Sequence, residues 1–170
     1  MHRRTLLRLG LTSGAGLLLA AGGIVLLYEP AWRSGHLTEH GRRVLGAVAR
    51  AVLDGSLPPD ARLQQAALAT HLERMDATLR ALPPATQREL GELLALLASP
   101  PGRLALAGLT PDWLRASVAQ VQTALQGMRV SRIRLRQQAY HALRDLTHAA
   151  YFGDSASWAQ LGYPGPMTIE

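Results

Sequence analysis

A chain of 170 residues holds one domain, and its net charge of +6 is entirely guanidinium: 18 arginines stand against 12 acids, with no lysine. Residues 1–28 carry three of those arginines and no acid, which leaves only +3 for the body. A nucleic-acid binder concentrates more charge than that on one face, so no nucleic-acid partner is expected. Cysteine is absent, which excludes a disulfide, a thiolate metal site and a c-type haem attachment, and leaves the fold to its core alone.

The chain opens His2-Arg3-Arg4-Thr5-Leu6-Leu7-Arg8, followed by an uncharged run from Leu9 to Tyr28. A positive start before an apolar stretch is the layout of an export signal. The paired Arg3-Arg4, the leucines and the further basic residue resemble a twin-arginine signal, although His2 and Leu6 depart from its preferred residues. Glycines at 10, 14, 16, 22 and 23 dilute the run as in such signals. Twenty residues at ~1.5 Å each reach roughly 30 Å, the thickness of a bilayer core. Residues 1–28 are therefore read as a twin-arginine signal or transmembrane anchor. Membrane contact is placed on residues 9–28 and the body outside the cytoplasm. Ala20-Ala21-Gly22 is a poor cleavage site, so an uncleaved helix would retain the chain at the inner membrane. Residues 29–37 read as a juxtamembrane linker.

Residues 38–170 read as one helical domain. Thr38 is a candidate cap for a helix with Val44, Leu45, Val48 and Val52 on one face. Asp54-Gly55 closes it, and Pro58-Pro59-Asp60 breaks and restarts the chain. Leu68, Leu72, Met75, Leu79 and Leu82 form a seam at helical spacing. After Pro83-Pro84 a further helix, opened by Pro84 or Thr86, lines its core face with Leu90, Leu93, Leu94 and Leu97. Pro100-Pro101-Gly102 reads as another break, and Thr110-Pro111-Asp112 starts a turn carrying Trp113. Ser117 with Gln120 forms a capping-box pattern ahead of Val118, Val121, Leu125 and Met128. No stretch alternates as a strand. The expected fold is all-α: a compact bundle of about six helices joined by Pro/Gly corners, preceded by an N-terminal signal or anchor helix.

No active site is expected. His36-x-x-Glu39-His40 matches a zincin-like pattern, but Thr38 as a cap leaves His36 outside the helix. His141, Asp145 and His148 share a helix face where simple ion pairing is the common arrangement. A Gly-rich phosphate loop and a nucleophile elbow are both missing. No cofactor or metal is assigned to this chain.

The last stretch holds Tyr151, Phe152, Trp158 and Tyr163, four of the eight aromatics. An arginine-studded helix leads into it, with Ala139, Tyr140, Leu143, Leu146 and Ala150 on one face. Gly153, in the left-handed conformation that closes helices, is expected to stop it. Asp154 caps a short helix carrying Trp158, Gly162 ends that, and Gly-Tyr-Pro-Gly-Pro over 162–166 is irregular. Such a tail needs a surface to lie on, either this chain's own core or another protein. Arg132 and Arg136 project toward the apolar side and call for carboxylate or carbonyl partners.

The run ALRDLTHAAYFGDSASWAQLGYPGP, residues 142–166, resembles the C-terminal signature of the small-subunit family of membrane-bound gluconate 2-dehydrogenase. The resemblance implies a non-catalytic accessory subunit. Its partner would be a large FAD-dependent dehydrogenase of the glucose-methanol-choline type that oxidises a sugar, sugar acid or alcohol. It further implies a cytochrome c subunit whose haem takes the electrons, and the twin-arginine translocase, which exports the folded flavoprotein to the periplasm on the signal at Arg3 and Arg4. Partner contact is placed on Arg134, Arg136, Tyr151, Phe152, Trp158 and Tyr163. The alternative reading is a free-standing membrane-anchored helical scaffold or assembly module with no enzyme partner.

Overall fold

The computed structural model describes residues 29–155, 157–158 and 162–164. The segment read as signal or anchor, with Arg3 and Arg4, lies outside the described residues. No helix among the described residues is long and apolar enough to cross a membrane.

The stretch read as a linker is folded. Trp32–Arg33 (β1) pairs antiparallel with His36–Leu37 (β2) in a minimal hairpin, Trp32 opposite Leu37. Ser34 and Gly35 turn it with φ of 52° and 80°, the left-handed pair that fits a two-residue hairpin. Two-residue strands are too short for alternation to show in sequence. The hairpin is fixed from behind. Thr38 N–H donates to Ala31 O at 3.0 Å, and Thr38 Oγ1 donates to Pro30 O at 2.8 Å. The Thr38 hydroxyl is thus spent on the hairpin and makes no cap bond to the helix it precedes. Gly41 lets this approach happen, since a Cβ there would lie 2.4 Å from Ala31 O.

Six helices follow: α1 (Glu39–Val52), α2 (Ala61–Arg80), α3 (Pro84–Ala98), α4 (Pro100–Gly102), α5 (Val118–Arg129) and α6 (Arg134–Phe152). The chain among the described residues is mostly helical, and α1 is its axis, packing against α2, α3, α5 and α6. Val44, Leu45 and Val48 are fully buried. They stack on one face because 3.6 residues per turn returns i+4 to the side of i. From α2, Met75 and Leu79 enter the core; Leu93, Leu94 and Leu97 enter from α3, and Val121, Leu125 and Met128 from α5.

Local signals explain most of the boundaries. Asp60 accepts the N–H groups of Arg62 and Leu63 at 2.9 and 3.0 Å, capping α2. Pro84 stands at the first position of α3, where its missing N–H costs nothing. Ser117 and Gln120 form a reciprocal capping box on α5.

Two expectations need correction. The expected break is present at Ser99, whose extended ψ of 145° ends α3, but Pro100-Pro101-Gly102 is itself helical rather than irregular. Ser99 caps a helical turn there, with its hydroxyl accepting from Gly102 N–H at 3.1 Å, and the turn widens into a π-helix over Arg103–Ala107. Prolines at the first two positions of a helix are compatible with it, since those N–H groups have no intrahelical partner. Arg103 then clamps the following loop, donating to Leu109 O, Thr110 O and the Asp112 carboxylate. Below it Trp113, 1% exposed, donates its indole N–H to Leu97 O at 2.7 Å. Gly153 does end α6, but not in the left-handed conformation: its φ is −69°. A Cβ there would sit 2.6 Å from Ala149 O, so space rather than handedness calls for glycine.

Candidate functional site

Buried polar groups locate the two ends of the bundle. At one end, Asp76 of α2 is 4% exposed. It accepts the Leu37 N–H and Arg42 Nη2, each at 2.7 Å, which ties the hairpin to α1 and α2. Arg80, the last residue of α2, donates to Gly35 O at 3.0 Å. The His36 and His40 rings serve different partners here. His36 lies 3.8 Å from the Asp76 carboxylate and His40 meets Glu29. No three histidine, aspartate or glutamate side chains among the described residues converge as a metal set.

The aromatic stretch lies at the other end, in two layers. Tyr151 forms the inner layer. It is 8% exposed, packs with Ala49, Leu53 and Leu57, and donates its hydroxyl to Ser56 O at 2.9 Å. Its ring meets the imidazole of His71 edge-on, with centroids 5.9 Å apart. Phe152 is half-buried, 5.1 Å from the Tyr151 ring and 5.5 Å from His148. The outer layer is Trp158 and Tyr163, ring centroids 5.3 Å apart. Trp158 Nε1 donates to Phe152 O at 3.0 Å, and Tyr163 N–H donates to Trp158 O at 3.0 Å. Trp158 is half-buried, while Tyr163 is 48% exposed. An ion pair between Arg74 of α2 and Asp154 staples the tail to the bundle.

His71 was not visible as a site residue in sequence. It is fully buried, and neither ring nitrogen has a hydrogen-bond partner among the described residues. Burial, together with the Arg74 charge, lowers its pKa to about 4, so the imidazole is neutral at physiological pH. The available signal was its register: His71, Met75 and Leu79 are four apart and share the inward face of α2. On α6, Asp145 is taken by Arg144 at 2.7 Å, and burial lowers the His148 pKa from its ordinary value. On this face Arg144 pairs with Asp145, and the His148 ring packs on Phe152.

Comparison with protein-family models, curated proteins and solved structures finds no match for this chain.

The six residues assigned to partner contact do not form one patch. Arg134 and Arg136 start α6, and Tyr151 ends it, so the two groups lie roughly 25 Å apart along the helix. Arg136 is turned inward. Its Nε donates to Leu106 O at 2.7 Å, so the carbonyl that an inward arginine needs is supplied by this chain. Arg134 is exposed, as is Arg132. Tyr151 is absorbed by the core. The residues that combine ordered placement with an open face are Trp158 and Tyr163, and at the far end Arg134.

Proposed function

We propose that this chain is a non-catalytic helical accessory subunit. It is exported to the periplasm by the twin-arginine signal at Arg3 and Arg4, and it escorts and stabilises a larger FAD-dependent dehydrogenase. The dehydrogenase oxidises a sugar, sugar acid or alcohol and hands electrons to a cytochrome c. The observation that carries this reading is the C-terminal signature over 142–166, which resembles that of the gluconate 2-dehydrogenase small subunit. The geometry of that stretch supports it: Asp154 and Trp158 hold the tail on the bundle, leaving Tyr163 half-exposed beside the Trp158 ring. Ordered aromatics with an open face are the side chains that dominate binding energy at protein interfaces.

The test is isolation of the tagged full chain from its native cell envelope. The expected result is a stoichiometric co-purifying flavoprotein whose substrate-reduced flavin spectrum is recorded in the complex. A chain that purifies without flavin, or that binds flavin itself when purified alone, overturns the reading. The first outcome favours the free-standing scaffold.

A further inference from the structure

After the π-helix the chain turns back at Gly108, whose φ is 66° and whose N–H returns to Leu104 O at 3.0 Å. A groove of about 480 Å³ lies between this turn, α5 and the first turn of α6. A volume of that order suits a small-molecule site. One wall is a face of α5 on which Ala119, Thr123 and Gly127 recur every fourth residue. A Cβ at Gly127 would meet nothing within 4 Å, so that wall is bare of bulk. From Gln120 to Gly127 it runs roughly 10 Å along the helix.

Arg136 is the one charge among the described residues that line the groove. Its guanidinium is held in place. Nε donates to Leu106 O at 2.7 Å, and Nη2 stands over Gly108, 3.4 Å from where a Cβ on that residue would be. A guanidinium has five N–H donors in a fixed fork. Only Nε is used here: the Nη donors have no hydrogen-bond or ion-pair partner among the described residues. Nearby acceptors are committed elsewhere. Leu109 O and Thr110 O accept from Arg103, and Asp112 accepts from Arg103 and from the Leu114 N–H. Gln120 adds to the imbalance, because its Oε1 is taken by the Ser117 N–H at 2.9 Å and its amide donors are left over. The groove therefore presents donors in excess, around a half-buried cation.

We propose that this groove binds a small aliphatic monocarboxylate, with the carboxylate on the Nη edge of Arg136 and the chain along the α5 wall. An excess of donors calls for a group that only accepts, and a planar carboxylate meets a guanidinium edge through two parallel hydrogen bonds. One cation in the groove balances one negative charge, which selects a monocarboxylate over a phosphate carrying nearly two. The body of the ligand is aliphatic because Ala119, Ala124 and Gly127 offer it little but small apolar surface. The inference goes beyond the accessory-subunit reading and stands whether or not a dehydrogenase binds.

The test titrates the isotope-labelled full chain with sodium hexanoate, with its neutral analogue hexanamide and with inorganic phosphate, read by two-dimensional NMR of its N–H groups. The amides of Gly108 and Gly127 and the Arg136 Nε–H should shift with hexanoate and saturate, and should not do so with hexanamide. Arg136→Gln should weaken hexanoate binding by about tenfold, the size expected for a lost hydrogen bond to a charged group. Gly127→Leu puts a side chain into the groove while leaving Arg136 and its Leu106 bond in place, and should abolish saturation. This second variant decides the matter even where Arg136→Gln, which gives up the Leu106 bond as well, does not fold. Equal shifts with hexanamide, or saturation that survives Gly127→Leu, overturn the site. Phosphate binding more tightly than hexanoate overturns the assignment to a monocarboxylate.

Discussion

The ring of Tyr151 meets the His71 imidazole edge-on at 5.9 Å, and the contact seals the last turn of α6 against α2. It is made to a neutral histidine, fully buried, without a hydrogen-bond partner among the described residues. The cost of charging that ring sets a pH dependence.

His71 has its pKa lowered to about 4 in the fold against 6.5 in the unfolded chain. Between those values the unfolded state binds more protons, so stability is fully present above pH 6.5 and is lost as the pH falls toward 4. A shift of that size corresponds to about 3 kcal/mol. Thermal melts of the wild type across this window should show the loss, and His71→Leu should flatten it. Parallel pH profiles for the two proteins would refute the assignment.

Asp76 governs the other end. Its buried carboxylate satisfies the Leu37 N–H and pairs with Arg42. Asp76→Ala leaves a backbone donor and a guanidinium without their acceptor and should cost about 3 kcal/mol in urea unfolding. Asp76→Asn keeps one acceptor oxygen and should cost less. The alanine variant should also become protease-sensitive within residues 29–37, because that carboxylate anchors the hairpin. An intact hairpin in a destabilised Asp76→Ala protein would show that the anchor lies elsewhere.

Two glycines should respond with opposite signs. A Cβ at Gly102 would lie 2.0 Å from Leu96 O, a backbone atom that cannot step aside. Gly102→Ala should destabilise by about 3 kcal/mol. Gly127 is inside α5, and a Cβ there meets nothing within 4 Å. Gly127→Ala should stabilise by about 0.5–1 kcal/mol, the helix-propensity difference. Denaturant midpoints of the two variants check both signs, and a neutral Gly102→Ala would mean that the π-turn can shift.

Helices were legible here because leucine spacing and caps are local. Ser117 and Gln120 are three residues apart, and Leu93, Leu94 and Leu97 lie within five. What stayed hidden depends on distant pairs. Nothing near Asp76 in the sequence indicates that it accepts from Leu37, 39 residues away. Nothing near Arg136 points to Leu106 O, 30 residues back. The inward direction of Arg136 was readable from helical periodicity, but its partner was not. The π-turn after Ser99 was masked by Pro-Pro-Gly, whose usual meaning is a break.

The aromatic tail separates folding from binding, because its layers are attached differently. Tyr151 precedes Gly153 and belongs to the core, while Trp158 and Tyr163 follow it and hold each other. Truncation after Gly153 removes the outer pair and the Asp154 partner of Arg74, yet leaves the Tyr151 hydroxyl on Ser56. Loss of one partly exposed ion pair and a half-buried indole should lower stability by roughly 1–3 kcal/mol, a shift of a few degrees in melting temperature. Tyr151→Ala, by contrast, should cost about 3–5 kcal/mol. Co-purification with the proposed flavoprotein partner should follow the reverse order. The truncated chain, or Trp158→Ala with Tyr163→Ala, should lose the flavoprotein while remaining folded. A truncated chain that still brings down stoichiometric flavin would remove the outer aromatics from the interface and leave partner contact to be sought elsewhere on the bundle.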